Sequence, residues 1–130
     1  MSDHYDRMLA DLDEGTLTPD GFTHRDHVGI TVAALLQGDF YDALARISRG
    51  LARLTSAAGA PEKFNATLTF AFVSLIAERM TKECNSPDAF FLDHPDILSI
   101  EPLAGIYPYE RLNSAIARRI PLLPEPCQQA

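Results

Sequence analysis

The stretch FYDALARISRGLARL, residues 40–54, decides the fold. Phe40, Leu44, Ile47, Leu51 and Leu54 recur at intervals of four, three, four and three, so they line one side of an α-helix. Arg46, Arg49 and Arg53 fall on the opposite side. Asp39, just before the stretch, is a natural N-cap, because a short carboxylate accepts from the unpaired amides of a first helical turn. Gly59 and Pro61 close the pattern.

Downstream, Glu62 to Lys82 is predicted to form a second long helix, apolar enough to lie at the centre of the protein. At 100° per residue Lys63, Thr67, Ser74 and Glu78 make one narrow polar stripe, which reads as a solvent edge. Asn65 and Thr69 fall instead on the apolar side, beside Phe72 and Ile76. Arg79 lies near the apolar face in the last turn, where snorkelling to solvent is its expected fate.

Upstream, a helix is expected to begin near Thr23, with Asp26 completing a capping box built on a short acid. Its buried face would be Val28, Val32, Leu35 and Leu36, and Gly38 would end it. A first helix from Ser2 or Asp3 to Glu14 carries Tyr5, Met8, Leu9 and Leu12 at helical spacing. Gly15 stops it, and Pro19-Asp20-Gly21 marks a turn. Beyond Lys82, Ser86-Pro87 starts a short helix bearing Ala89, Phe90, Phe91 and Leu92, which His94-Pro95 ends. Segment 95–106 reads as one further short turn. A last helix is expected from Pro108 to Arg119, with Leu112, Ala115 and Ile116 inward. Pro121, Pro124 and Pro126 forbid more helix. No segment alternates with period two. The expectation is an all-α, compact single-domain bundle of five to six helices over residues 1–120, with a Pro-containing extended tail over 121–130.

The net charge of −7 argues against nucleic acid, whose phosphates demand a basic face, and against an anionic membrane surface. The longest apolar run, Phe70 to Ala77, is interrupted by Ser74 and falls far short of the ~20 residues of a membrane span. Met1 to Asp6 shows no basic or apolar region of a secretory signal. Cys84 and Cys127 belong to no C-x-x-C pattern and read as free thiols. These features together point to a cytoplasmic protein.

Three groups could carry chemistry. His24 and His27, three apart, share a helix face with Thr31 and point toward the core. Such a pair can serve as packed or capping groups, as two ligands of a divalent metal, or as acid–base and hydrogen-bonding groups. A metal centre would need further donors that the spacing does not reveal. Asn65 and Thr69 need partners if buried, because an unpaired amide or hydroxyl costs roughly 1–3 kcal/mol. Internal hydrogen bonds would answer that need as well as a ligand would. Lys63, at the expected helix start, is disfavoured there by the dipole, which suggests a purpose other than helix stability. Tyr107, Tyr109 and Arg118 form the third group, of types able to hold a carboxylate or oxyanion.

The segments Phe22-Thr23-His24-Arg25-Asp26-His27, Lys63-Phe64-Asn65-Ala66-Thr67-Leu68-Thr69, Tyr107-Pro108-Tyr109-Glu110-Arg111-Leu112 and Ser114-Ala115-Ile116-Ala117-Arg118 occur in this order. The pattern resembles a family of small helical bacterial proteins of unassigned activity with F-x-H-x-x-H, K-Y-H-E-T-x-T and Y-Y-S-x-x-x-L-x-S-x-x-A-R elements. The resemblance implies a helical fold and a shared pocket, without a mechanism. The middle element departs: Phe64-Asn65-Ala66 stands where the family has Tyr-His-Glu. Asn is a poor ligand for a transition metal and no acid or base, so a metal site implied by the family would be altered here.

The residues thus suggest a small-molecule site between helices two, four and the last, lined by His24, His27, Lys63, Asn65, Thr69, Tyr107 and Arg118, with His24 or His27 as acid–base group. The competing expectations are a metal centre on His24 and His27, and a non-catalytic interaction module or homodimer.

Overall fold

Most of the helices begin where a side chain closes the first turn. The computed structural model describes residues 3–125. It contains α1 (Asp3–Glu14), α2 (His24–Gln37), α3 (Phe40–Ala57), α4 (Ala66–Arg79), α5 (Pro87–Asp93), α6 (Glu101–Ala104), α7 (Tyr109–Leu112) and α8 (Ala115–Arg119), with 3₁₀ turns at Pro61–Lys63 and Pro95–Leu98. No strand occurs among the described residues, and the fold is all-α. At the start of α2, Thr23 Oγ1 accepts from the Asp26 amide and Asp26 Oδ2 accepts from the Thr23 amide, each at 3.1 Å. Asp39 caps α3 at 2.8 Å, and Ser86 and Ser114 cap α5 and α8 at 3.1 and 3.2 Å. Each of these bonds satisfies a backbone donor that the helix cannot pair internally. The Ser2 start, Pro126 and Cys127 lie outside the described residues. Residues 121–125 carry no regular structure.

The centre of the bundle is α2. Its residues from Val28 to Ala34 are all buried, and it packs against α1, α3, α4 and α5. A helix that is apolar all round is buried all round. Here small residues let several neighbours approach at once. A Cβ at Gly29 would come within 2.5 Å of Tyr5 Cε1, and one at Gly50 of α3 would overlap the Leu12 side chain. Tyr5 and Leu12 of α1 therefore seat in two notches cut by glycines. Gly29→Ala should cost a net ~1–2 kcal/mol, since overpacking costs more than the ~1 kcal/mol of helix propensity that Ala returns. Urea denaturation measures this, and unchanged stability would show that the Tyr5 ring is free to move aside.

The arginine stripe of α3 ties down α1. Arg46 pairs with Asp13 at 2.7 Å and donates to Gln37 Oε1 at 3.0 Å. Arg53 donates to the carbonyls of Leu12 and Asp13 at 3.3 and 3.4 Å. On the opposite side Ile47, Leu51 and Leu54 are buried while Phe40 and Leu44 are half-buried, in line with the four-three spacing.

Four expectations are corrected. The helix expected over Glu62 to Lys82 is shorter, because Phe64 and Asn65 are extended and Met80 leaves helical geometry. Thr67 is no solvent edge: it is fully buried, donating to the Ile120 carbonyl and accepting from the Leu122 amide, both at 2.9 Å. One hydroxyl thus pins the segment after α8 to α4. The single last helix is two, broken at Asn113, and α8 turns Ala117 inward while Ala115 and Ile116 face out. Leu36 is exposed rather than part of the buried face of α2.

Arg79 does not simply snorkel. Its Nη1 contacts both carboxylate oxygens of Asp96 at 2.7 and 2.9 Å, and this contact holds the Asp96 carboxyl below its usual range. No helix among the described residues is long and apolar enough to cross a membrane.

Candidate functional site

His24 and His27 leave α2 on the same side, as their spacing requires, and both lie near the Phe72 ring of α4. Their ring centroids are 6.1 Å apart and the rings stand nearly perpendicular. From there their surroundings diverge. The Nε2 of His24 lies 2.9 Å from the Ile97 carbonyl and donates to it, which ties α2 to the turn after α5. The Nε2 of His27 is buried and has no hydrogen-bond partner among the described residues. Enclosure of the ring, with a smaller contribution from His24, lowers the His27 pKa to about 4. The residue as a whole is half-buried, so solvent reaches its edge but not this nitrogen.

His27 lines a cavity of about 140 Å³. Its other walls come from Leu51 and Thr55 of α3, from Lys63, Phe64 and Asn65 before α4, and from Leu68 and Thr69 in the first turns of α4. Asn65 is not on the apolar side of a helix, as its position in the expected helix implied. It is the N-cap of α4, accepting from the Leu68 amide at 2.9 Å and donating to the Leu112 carbonyl at 2.7 Å. Both ends of its amide are engaged, so it shapes the wall. Thr55 bonds back to the Leu51 and Ala52 carbonyls at 3.1 and 3.0 Å, a common use of a helical hydroxyl. Thr69 is 4% exposed and makes no side-chain hydrogen bond among the described residues. Lys63 stands on the 3₁₀ turn, exposed, in no ion pair among the described residues. It therefore precedes the cap of α4 and does not oppose the helix dipole from within the first turn.

The cavity thus joins His27, Lys63, Asn65 and Thr69. His24, Tyr107 and Arg118 are not among its walls. Tyr107 donates to the Leu122 carbonyl at 2.9 Å, and Arg118 donates to the Glu62 carbonyl at 2.8 Å. With Arg111, which donates to the Leu123 carbonyl at 2.9 Å, they hold the C-terminal segment against the bundle. Tyr109 is exposed. Leu51 carried no signal in the sequence beyond its place in a helix pattern, Phe64 and Leu68 none beyond their place in the segment from Lys63 to Thr69, and Thr55 none at all. Their role as walls follows from how α3 meets the chain just before α4.

Among the described residues no group of three or more His, Cys, Asp or Glu side chains is placed to hold a metal ion. A wider groove, about 460 Å³, runs along Asp13, Gln37 and the arginines of α3. It is an open surface in which Arg46 is already neutralised by Asp13, and it holds no unpartnered buried group. Size alone therefore does not make it the better candidate. Comparison with family models, with curated proteins and with solved structures found no match.

Proposed function

We propose that the chain binds a small organic molecule in the cavity at His27, with the His27 imidazole and the Thr69 hydroxyl as its hydrogen-bonding partners. The buried, unpartnered Nε2 of His27 carries this reading. A buried polar atom left unpaired costs roughly 1–3 kcal/mol, and native proteins keep few of them. A ligand whose binding turns the ring so that this nitrogen opens to the cavity would repay that cost, and Thr69 lies on the same wall.

The low pKa favours a hydrogen-bonding role over proton transfer. An effective general acid–base has a pKa near the working pH, whereas an imidazole at about 4 stays neutral through the physiological range. A divalent metal on the histidine pair would need about three protein donors at a catalytic site, and His24 Nε2 is already engaged by Ile97. Two of the elements that resemble the bacterial family, Phe22 to His27 and Lys63 to Thr69, meet at this cavity. That meeting supports reading them as parts of one site.

An NMR fragment screen tests the proposal. Compounds that shift the Thr69 amide and the His27 ring resonances should bind roughly ten-fold more weakly to Thr69→Val and His27→Leu, as expected for a lost buried hydrogen bond. A screen in which no compound moves those resonances, alongside a crystal structure showing an ordered water bonded to Nε2, would remove the basis for a ligand.

A further inference from the structure

We infer that the molecule bound at this site is a small organic monoanion, an apolar body carrying one carboxylate, with its headgroup at Lys63. The inference rests on the small-molecule reading above and specifies its ligand class. Beside the His27 cavity lies a second hollow of about 280 Å³, walled by Pro19, Phe22, Leu54, Ala58 and Ala60. Thr55 and Lys63 line both, so the two hollows meet at these residues. Together they reach the few hundred Å³ typical of small-molecule sites.

The charge of this surface is unlike that of the chain. The protein has 18 acidic and 11 basic side chains. Yet neither hollow is lined by an Asp or Glu, and Lys63 is the one lining residue with a permanent charge. Its ammonium has no ion pair among the described residues, whereas Arg46 and Arg79 are each matched to a carboxylate. The backbone beneath it is held on both sides. The Lys63 amide donates to the Ala60 carbonyl at 3.0 Å, and the Arg118 guanidinium fixes the Glu62 carbonyl at 2.8 Å. The first turns of α4, which supply Leu68 and Thr69 to the wall, add the positive end of a helix dipole.

A single ammonium, with no second cation among the lining residues, balances one negative charge and leaves the second charge of a phosphate dianion unmatched. The walls around Phe22 and Leu54 offer an apolar body apolar side chains to pack against. At Lys63, which lines both hollows, the carboxylate's second oxygen then faces the His27 and Thr69 side.

The test uses the full chain, ¹⁵N-labelled, titrated with hexanoate and phenylacetate. Hexanamide, phenylacetamide, hexylamine and inorganic phosphate serve as counterparts. The carboxylates are expected to shift Phe22, Thr55 and Thr69 together, and to bind more tightly than the amides or the amine. Lys63→Gln should weaken the carboxylates about three- to ten-fold, the range for one partly screened ion pair, while Lys63→Arg retains them. Because Lys63 is exposed, both variants should keep the wild-type Tm. Amides or amine binding as tightly as the acids, or indifference to Lys63→Gln, would overturn the anion inference and leave the His27 site standing. Phosphate binding with no response at Phe22 would overturn the apolar body. Silence of Thr69 and His27 toward every compound would overturn both this inference and the site.

Discussion

Asn65→Ala is expected to lower stability by about 3 kcal/mol, and Tm by roughly 10 °C, although the residue bears no charge and touches no known ligand. The amide does two jobs. Its oxygen caps α4 through the Leu68 amide, and its nitrogen reaches across the bundle to the Leu112 carbonyl at the end of α7. Losing an N-cap costs about 1 kcal/mol, and leaving a buried carbonyl without its donor costs a further 1–3 kcal/mol. Asn65→Ser separates the two: its hydroxyl can cap but cannot span to Leu112, so it should fall between wild type and Ala. Chemical denaturation of the three proteins reads the order. If Ala and Ser lose the same amount, the cap is contributing nothing, and if Ser matches wild type, the bond to Leu112 is contributing nothing.

The second large effect is a pH dependence of stability centred on His27. Its pKa in the folded protein is about 4, against an ordinary value of 6.5, and burial is the main cause. Between those values the unfolded chain binds a proton that the folded chain refuses. The contribution is therefore fully present above pH 6.5 and is lost as the pH falls toward 4, by roughly 3 kcal/mol in all. The groups around the ring give no relief: His24 adds like charge when protonated, Phe72 is apolar, and no carboxylate lines the cavity. His27→Leu removes both the titration and the unpaired nitrogen. At pH 7.5 it should match or exceed wild type in stability, and the gap should widen in its favour at pH 5.5 and again at 4.5. Other groups titrate in both proteins, so the difference between them is the quantity to follow. A difference that stays flat across that range would mean the ring charges without penalty in the folded state.

These two residues also show how far local patterns reach. His27 was legible as an inward polar group, because its spacing from His24, Val28 and Thr31 places it on the core side of α2. Which histidine would be satisfied was not legible. His24 finds a carbonyl more than seventy residues away, at Ile97, and no local pattern encodes that meeting. Asn65 was legible as a polar residue needing partners, but its place was misread because the apolar periodicity of α4 continues backward through it. The backbone decides otherwise: Pro61 starts a separate 3₁₀ turn, and Asn65 sits extended at its far side, free to cap. Thr67 was misread for a related reason. Farther along its stripe Ser74 is half-buried and Glu78 exposed, but the C-terminal segment folds back to cover the stripe at Thr67.

Sequence alone determined α1, α2, α3 and α5, the caps at Thr23, Asp39 and Ser86, and the all-α class, because these depend on spacings of three and four residues and on side chains reaching amides in the next turn. Tertiary structure decided which polar groups are spent and which remain free. Asn65, Tyr107, Thr67 and Arg118 are occupied by carbonyls distant in the chain, while among the described residues His27 Nε2 finds no partner. Whether a buried polar atom is satisfied depends on which remote segment arrives within about 3 Å of it, and that is a property of packing rather than of periodicity.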